Sequence, residues 1–245
     1  MQYNAMKKKL YITQTKSTNA LCWELNREET LPEGFVLHTD FQTEGKGQPG
    51  NTWESATGKN LLFSVVLHPF QIPMEELFLI SELVSVAIKN ALDEYCSSIS
   101  IKWPNDIYWN NKKLAGILIE NSLQGNKINT VVIGIGLNVN QKEFKSEAPN
   151  PVSLLQITGK RQNRQQLLEQ ICENILSLYK GFDKNKIQNE YAASLYRKEG
   201  YHSFQAEDEL FLAKIIEVYP DGQLELETDK GKRKSFYFKE VKFIV

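Results

Sequence analysis

Apolar and polar positions follow two different periods along most of the chain, and each period predicts one kind of element. Apolar or alternating runs, which are typical of strands, cover 10–13, 35–39, 60–68, 99–103, 107–109, 113–120 and 128–140. Apolar residues spaced by three and four, which indicate amphipathic helices, cover 17–26, 73–96, 162–179 and 186–196. Ser17 is expected to cap the first of these helices, and Pro73 to occupy the first position of the longest one. The run at 128–140 is apolar enough for the centre of a sheet.

The last part of the chain has a different pattern. Short alternating segments at 210–218, 223–228 and 234–238 are separated by two turn sequences, 220–222 (Pro-Asp-Gly) and 229–231 (Asp-Lys-Gly). Short strands joined by such turns are typical of a small antiparallel barrel. We therefore predict two domains, residues 1–198 and residues 199–245.

One predicted hairpin, at 99–120, contains residues that a scaffold alone does not require. Its first strand stops at Pro104, which fixes its own φ and disfavours a helical residue before it. The polar residues Asn105 and Asp106 follow, and the return strand opens with Lys113. Gly116 lies inside that strand, where glycine weakens the sheet unless a ligand or another backbone approaches closely. The segment therefore indicates a functional site.

A glycine-rich segment at 42–50 allows two interpretations. Gly45, Gly47 and Gly50 match the spacing of a dinucleotide-binding fingerprint, but no helix is predicted directly after them. A phosphate-binding Walker A sequence is also absent. The segment remains either an anion-binding loop rich in backbone N–H groups, with Lys46 and Trp53 beside it, or an ordinary surface loop with a Pro-Gly turn.

Composition and charge narrow the class of protein. The 245 residues include 29 basic and 30 acidic side chains, so the chain lacks the basic excess of a general nucleic-acid binder. Three cysteines, Cys22, Cys96 and Cys172, and three histidines lie far apart, which predicts reduced thiols and no metal site built from His and Cys. Neither a signal peptide nor a membrane-spanning run is visible. We expect a soluble, cytoplasmic protein whose partners include neither a membrane nor nucleic acid.

Four segments together resemble a known family. In chain order they are Ser17-Thr18-Asn19, the loop from Gln42 to Trp53 with Gly45-Lys46-Gly47, the pair 102–106 (Lys-Trp-Pro-Asn-Asp) and 113–117 (Lys-Leu-Ala-Gly-Ile), and 134–140 (Gly-Ile-Gly-Leu-Asn-Val-Asn). Over about residues 10 to 140 the chain resembles the biotin–protein ligases (biotin–[acetyl-CoA-carboxylase] ligases). The resemblance implies an α+β fold of the class II synthetase-like, biotin–lipoate ligase type, with helices against one face of a mixed central β-sheet. It also implies that the C-terminal barrel is SH3-like.

The resemblance further implies an ATP-dependent ligase that makes biotinyl-5′-AMP and transfers biotin to one lysine of a biotin carboxyl carrier domain of a carboxylase. Pyrophosphate and AMP would be released, and Mg²⁺ would accompany ATP near Asp106. The implied catalytic residue is Lys113, in contact with the biotin carboxylate and the α-phosphate. The implied biotin-binding residues are Ser17, Thr18, Asn19, Gln42, Lys46, Gly47, Gln48, Gly116, Gly134 and Gly136. The implied ATP-binding residues are Gly45, Lys46, Gln48, Trp53, Asn105, Asp106, Lys113 and Asn138.

Each of these roles has a structural alternative. Ser17 is also a helix cap, and both roles can coexist. Lys113 also fits a solvated strand start, and the three glycines also fit close packing between strands. Trp53 also fits a side chain that anchors its loop in the core, and Asp106 also fits an Asx turn after the proline.

The loop departs from the family's pattern. Relatives often carry a form rich in arginine, Gly-Arg-Gly-Arg-Arg-Gly-Arg, where this chain has Lys46, Gln48, Pro49 and Asn51. Because lysine and glutamine cannot hold a phosphate bidentately as arginine does, we hypothesise that biotinyl-AMP leaves faster here than in arginine-rich relatives. The basic run at 230–234 is interpreted as a solvated turn.

The remaining expectations concern the domain content, the oligomeric state and the alternative functions. Because the family pattern starts by residue 10, we expect a ligase without the N-terminal DNA-binding domain that some relatives carry. Monomer and homodimer both remain open. Lipoate–protein ligases share the fold and the adenylate chemistry, and a non-catalytic biotin-binding module is the alternative from another class of protein.

Overall fold

The main sheet has seven strands and fixes the position of everything else. The structure, a computed structural model, describes residues 8–48, 50–69, 72–125, 127–145 and 150–244, so Pro49 lies outside the described residues. The strand order is β1-β2-β3-β7-β6-β5-β4. The strands are β1 Lys9–Thr15, β2 Phe35–Gln42, β3 Leu61–Leu67, β4 Ile99–Lys102, β5 Asp106–Trp109, β6 Lys112–Gln124 and β7 Lys127–Leu137.

The pairing of these strands confirms a mixed sheet. β1 runs parallel to β2, while the remaining neighbours pair antiparallel. β7 occupies the centre, as its long apolar run predicts. β6 and β7 form a long hairpin, and β5 joins the first residues of β6, so that Asp106 lies opposite Gly116.

Helices cover both faces of the sheet, which corrects the prediction that they cover one. The helix α1, Thr18–Glu28, packs on the face where Phe35, Leu37 and Val66 point. The other face carries Phe63 and Val65 and is covered from the opposite side by α2, Phe78–Asp93, and α4, Arg164–Lys180. Because β2 and β3 are apolar on both faces, each face needs a cover. The helices are α1, α2 Phe78–Asp93, α3 Leu154–Thr158, α4 Arg164–Lys180 and α5 Lys184–Ala193.

The prediction that Pro73 opens the longest helix is wrong. Pro73 is extended and precedes a 3₁₀ turn, Met74–Glu76, whose hydrogen bonds run from Glu76 N to Pro73 O and from Leu77 N to Met74 O. This tighter i→i+3 pattern separates the proline from α2. The longest helix among the described residues is α4, with 17 residues against 16 in α2. None of the helices in these ranges combines the length and apolarity that crossing a membrane requires.

A second, antiparallel sheet forms the C-terminal unit, as the alternating pattern predicts. Its strand order is β11-β10-β9-β8-β12. Its core contains Phe204, Ala213, Leu224 and Leu226, all buried. The predicted domain boundary between residues 198 and 199 falls in the irregular segment before this sheet and stays a prediction. The strands are β8 His202–Ala206, β9 Glu209–Val218, β10 Leu224–Thr228, β11 Arg233–Phe236 and β12 Lys242–Phe243.

The three cysteines are free, as expected. Cys22 lies on the buried side of α1, and burial raises the pKa of its thiol to about 12. Burial also raises the pKa of Cys172 to about 12. Because the thiolate is the reactive form, these raised pKa values disfavour reaction of the two thiols at neutral pH.

A buried carboxyl on α2 makes stability depend on pH. Glu82 is 2% exposed, and within the described ranges its Oε2 atom has no hydrogen-bond partner. Burial raises its pKa from 4.5 to about 8. Between these values the folded protein holds a proton on Glu82 that the unfolded chain releases. The free energy of unfolding should therefore fall as pH rises from 5 to 8, by at most about 1.4 kcal/mol per pH unit.

Replacing this carboxyl with an amide tests the dependence. Glu82→Gln should flatten the curve of unfolding free energy against pH between 5 and 8, measured by urea denaturation. Glu75→Gln, which changes an exposed carboxylate just before α2, should leave the curve unchanged. Parallel curves for Glu82→Gln and the wild type would contradict the assignment.

Candidate functional site

A cleft of about 780 Å³, partly open to solvent, lies over β6 and β7 on the α1 side of the sheet. The start of α1, the loop 42–53, the β5–β6 hairpin and one turn of the C-terminal unit surround it. Every residue that the sequence singled out for biotin, ATP or catalysis lines this cleft, except Gly45 and Asn138. Side chains that lie far apart in sequence therefore converge on one space.

The start of α1 forms a polar end of the cleft. Ser17 caps the helix, since its Oγ accepts from Ala20 N at 3.5 Å. Thr18 donates through its N–H and its hydroxyl to Gln42 Oε1, at 2.7 and 3.1 Å. Ser64 Oγ lies 2.7 Å from Thr18 Oγ1. Ser17 thus both caps α1 and lines the cleft. The start of α1 and the end of β2 together present hydroxyl and amide groups to the cleft.

Asn19 is fixed at both ends of its carboxamide. Its Oδ1 accepts from Ser64 Oγ at 2.6 Å, and its Nδ2 donates to Glu120 Oε2 at 2.8 Å and Leu118 O at 3.3 Å. The same carboxamide lies against Gly134, where an added Cβ would stand only 2.5 Å from Asn19 Oδ1. Gly134 is therefore required by close packing against a side chain that cannot easily move.

The opposite end of the cleft carries an ion pair. Lys113 Nζ lies 2.7 Å from Asp106 Oδ1, and both side chains are mostly shielded from solvent. The backbone of Lys113 is held by the segment after the β7 end, through bonds to Asn150 O and from Val152 N. Asn105 Nδ2 donates to Ile117 O at 2.6 Å, and Ile117 N donates back to Asn105 O. The hairpin thus holds Lys113 and Asp106 side by side on the cleft wall.

The indole of Trp53 covers the glycine floor of the cleft. An added Cβ on Gly136 would stand 2.4 Å from Trp53 Cε2, and one on Gly116 would stand 3.0 Å from Trp53 Cζ3. Lys113 Nζ lies 5.7 Å from the indole centroid, within reach of a cation–π contact. Trp53 Nε1 is buried and finds no hydrogen-bond partner among the described residues. Trp53 therefore packs on the site itself.

The loop that carries Trp53 folds back on itself. Lys46 and Thr52 form an antiparallel bridge, and Trp53 N donates to Gly45 O at 3.0 Å. Gly47 N donates to Asn51 O at 3.0 Å. Gly45 therefore lies at the base of the loop rather than on the cleft wall, while Lys46 and Gly47 face the cleft.

Asn138 lies behind the cleft in a buried amide network. Its N–H donates to Leu114 O, and its Oδ1 lies 3.5 Å from Asn60 Nδ2. Asn60 also donates to Gln141 Oε1 at 2.7 Å. In this structure Asn138 holds the end of β7, and its side chain does not line the cleft.

Several cleft residues give little signal in the sequence. Ser64 sits in the apolar run of β3 and meets the site only because it lies opposite Gly134 in the sheet. Phe238 comes from the C-terminal unit, 98 positions beyond the last residue of the motifs. The lining residues that the sequence did not single out are Asn51, Thr52, Ile117, Leu118, Ile135 and Phe238.

The cleft offers oxygen ligands rather than a His/Cys metal site. Across the described residues there is no group of three or more His, Cys, Asp and Glu side chains that could hold a metal ion. Asp106 is the only carboxylate among the lining residues of these ranges, and Lys46 and Lys113 are the only lysines there. Such a set fits a cation that keeps most of its water and is bound chiefly by phosphates.

Comparison with known proteins gives consistent matches. The model of the biotin/lipoate A/B protein ligase family matches residues 11–138. The bifunctional ligase/repressor BirA of Bacillus subtilis is 30% identical over 237 residues, which cover 93% of this chain and 71% of that protein. The biotin–[acetyl-CoA-carboxylase] ligase of Mycobacterium tuberculosis is 27% identical over 67% of this chain and 61% of that protein. The structure of the Aquifex aeolicus biotin protein ligase in complex with biotin and ATP superposes with a TM-score of 0.78 at 26% identity, covering 98% of this chain and 100% of that one.

Proposed function

The chain belongs to the biotin/lipoate A/B protein ligase family and is a biotin–protein ligase, and from this premise we propose that it works in two steps through biotinyl-5′-AMP. In the first step the biotin carboxylate attacks the α-phosphorus of ATP and pyrophosphate leaves. In the second, the ε-amine of a carrier lysine attacks the acyl carbon of the mixed anhydride, AMP leaves, and the amide loses its extra proton. One observation carries the proposal: a polar pocket, a glycine floor and the Lys113–Asp106 pair meet in one cleft.

The first step brings two anions together, and Lys113 is suited to it. Its ammonium lies in a partly shielded cleft, where a charge acts more strongly than in water. A cation held between the biotin carboxylate and the α-phosphate stabilises the charge that develops as the bond forms. Asp106 holds the ammonium in place before the substrates arrive, because its Oδ1 lies 2.7 Å away.

Biotin lies along the cleft with its ureido ring at the α1 end. Ser17, Thr18 and Gln42 supply hydroxyl and amide groups that can bond the polar ring. The valeryl chain then crosses Gly116 and Gly136, where no Cβ intrudes, and its carboxylate reaches Lys113. Asn19 and Gly134 shape the wall beside the ring, since their contact leaves no spare room between them.

The nucleotide takes the other end of the cleft. Trp53 offers a ring face for adenine, and Lys46 and Gln48 lie on the loop beside it. Because Trp53 lies on Gly136 in this structure, it must shift as biotin enters. Asn105 and Asp106 face the phosphates, while Asn138 acts from behind the wall. Closing of the loop over both substrates would shield the anhydride from water.

Magnesium fits the phosphate end of this site. Asp106 is the carboxylate that would hold it, and Asn105, on the same hairpin, has an amide oxygen. Bound there with ATP, Mg²⁺ would offset the negative charge of the phosphates. The residues of this chain would do the rest: Lys113 steers the carboxylate, and the loop residues Lys46 and Gln48 orient the phosphates.

The acceptor that we propose is a lysine of a biotin carboxyl carrier domain. The absence of nucleic acid among the partners of this protein and its cytoplasmic location remain predictions, and monomer and homodimer both remain open.

Substrate choice is tested by pyrophosphate exchange into ATP, measured with biotin and with lipoate as the only acid. We expect exchange with biotin and at most a trace with lipoate. Exchange that is as fast with lipoate would overturn the assignment of biotin.

The loop should also set how long the adenylate stays bound. Gln48 faces the cleft at a position where arginine-rich relatives can offer a bidentate cation, so Gln48→Arg should slow the release of biotinyl-AMP several-fold. Release is measured by trapping free adenylate with hydroxylamine after a single turnover. Gln14→Arg, on the exposed side of β1, adds the same charge away from the cleft and should change nothing. Equal release rates in the Gln48 variant and the wild type would contradict the expectation.

A further inference from the structure

One residue of the C-terminal unit lines the cleft. Of the described residues that surround it, Phe238 is the only one beyond position 136. Phe238 follows β11 and lies in the turn that leads to β12. The cleft is therefore completed by a part of the chain that belongs to the second sheet.

The side chain of Phe238 is presented to the cleft rather than packed in its own unit. It is 39% exposed, whereas its neighbour Phe236 is nearly buried and stacks on Phe211 with centroids 6.1 Å apart. Tyr237 turns away to donate to Asp221 Oδ2 at 3.0 Å. A single exposed aromatic is ordinary on a surface, but this one stands at the mouth of a site.

The turn that carries Phe238 is closed by two hydrogen bonds between Tyr237 and Glu240. Tyr237 N donates to Glu240 Oε2 at 2.6 Å, and Glu240 N donates back to Tyr237 O at 3.1 Å. Lys239 between them adopts a φ of +73°, a conformation that side chains rarely take. This closed turn defines the backbone from which the Phe238 side chain extends.

The C-terminal unit is fixed beside the ion pair. Trp103 Nε1 donates to Gly222 O at 2.9 Å, and Gly222 has no room for a Cβ because Phe78 lies against it. Lys102 Nζ lies 5.4 Å from the ring centroid of Phe243 in β12. Trp103 and Lys102 belong to the segment that leads into Asp106. The position of Phe238 relative to Asp106 and Lys113 is therefore set by contacts at the hairpin itself.

We propose that Phe238 forms the outer wall of the nucleotide end of the site and holds the adenine ring of ATP and of the adenylate by aromatic contact. The inference rests on the proposed function and names a residue that no local motif marks. Trp53 and Phe238 both line the cleft, so an aromatic side chain from each of the two structural units is available to the base. This wall retains the adenylate by apolar contact and so offsets part of what the arginine-poor loop lacks.

The test compares two neighbouring aromatic residues. Phe238→Ala should raise the KM for ATP in biotin-dependent pyrophosphate exchange about tenfold, as expected for loss of one base–aromatic contact, and shorten the lifetime of the bound adenylate by a similar factor. The KM for biotin should stay within about twofold. Tyr237→Ala removes an aromatic side chain of equal or greater exposure from the same turn and should leave both constants near the wild type. Phe238→Trp, which keeps an aromatic face, should restore the KM for ATP.

Three results would overturn the inference. An unchanged KM for ATP in Phe238→Ala would exclude the contact. Equal losses in the Phe238 and Tyr237 alanine variants would assign the effect to the turn as a whole. A rise in the KM for biotin alone would place Phe238 at the other substrate. Calorimetric binding of a non-hydrolysable ATP analogue to wild type and Phe238→Ala gives the same comparison without turnover, so a failure of biotin-dependent exchange in the wild type stays distinguishable from a failure of this inference.

Discussion

Replacing Lys113 with alanine should slow biotin-dependent pyrophosphate exchange at least about a hundredfold, while the protein stays folded. Removal of one preorganised charge at the reacting atoms typically costs about 2.7 kcal/mol or more in the transition state. The loss of rate should exceed the loss expected from removing the ammonium alone. The Asp106 carboxylate, whose Oδ1 lies 2.7 Å from Lys113 Nζ, would then face two anionic substrates without its partner. Exchange rates at saturating biotin and ATP measure the effect.

Two variants separate catalysis from charge balance. Lys112→Ala removes a neighbouring exposed lysine of β6 and should leave the rate near the wild type. If Lys113 only balanced Asp106, the double variant Lys113→Ala with Asp106→Asn would regain most of the rate. We expect it to stay at least about a hundredfold slow. Recovery in the double variant would contradict a direct role of Lys113 at the carboxylate and phosphate.

Gly134→Ala should raise the KM for biotin about tenfold or more and leave the KM for ATP nearly unchanged. The added Cβ would stand 2.5 Å from Asn19 Oδ1, and the carboxamide is held there by Ser64, Glu120 and the Leu118 carbonyl. The carboxamide can yield only by breaking these bonds, each worth about 1 kcal/mol, so the polar end loses its shape. Steady-state exchange with each substrate varied in turn measures both constants.

Gly136→Ala is the matched comparison two residues along the same strand. Its Cβ would meet Trp53, which is carried by a loop and can move away. We therefore expect a smaller rise in the KM for biotin and a larger change in the KM for ATP than in Gly134→Ala. The same pattern of constants in both variants, or no change in Gly134→Ala despite a folded protein, would refute the close contact as the reason for these glycines.

Local sequence patterns predict much of this fold because they reflect the conformational preferences and burial of neighbouring residues. The apolar run that became β7 could be placed at the sheet centre, since a strand buried on both faces needs no polar side. Pro104 ends β4, and the return through Asn110 brings Lys113 back beside Asp106. The proline and the turn therefore account for the return of the chain, whereas the register shift between Ile107 and Tyr108 in the β5–β6 pairing has no signal in the pattern.

The sequence patterns could not predict how elements far apart in the chain are arranged relative to one another. An amphipathic period shows that α1 packs on something, but it does not say on which face of the sheet. Ser64 has no periodic signal of its own, and its role follows only from register opposite Gly134. Phe238 reaches the cleft because Trp103 fastens the C-terminal unit there through Gly222, a contact between residues 119 positions apart. Contacts between residues so far apart in sequence become visible only in the assembled structure.

The sequence predicts the positions of some cleft residues better than those of others. The resemblance singles out Lys113, Asp106 and the glycines, and the structure brings them together. The resemblance also assigns Asn138 to the site, but Asn138 lies in the amide network behind the wall. Asn138 follows Leu137, the last residue of β7, so the alternation that places Gly134 and Gly136 on the floor no longer sets the direction of its side chain, which the motif alone does not reveal.

The measurement that tests the central claim most directly is the intact mass of a biotin carboxyl carrier domain incubated with this protein, biotin and ATP. We predict a gain of one biotinyl group at a single lysine, which requires both small molecules and becomes at least about a hundredfold slower with Lys113→Ala. A carrier domain that keeps its unmodified mass with folded wild-type protein, or one that is labelled equally fast by the Lys113 variant, would contradict the account.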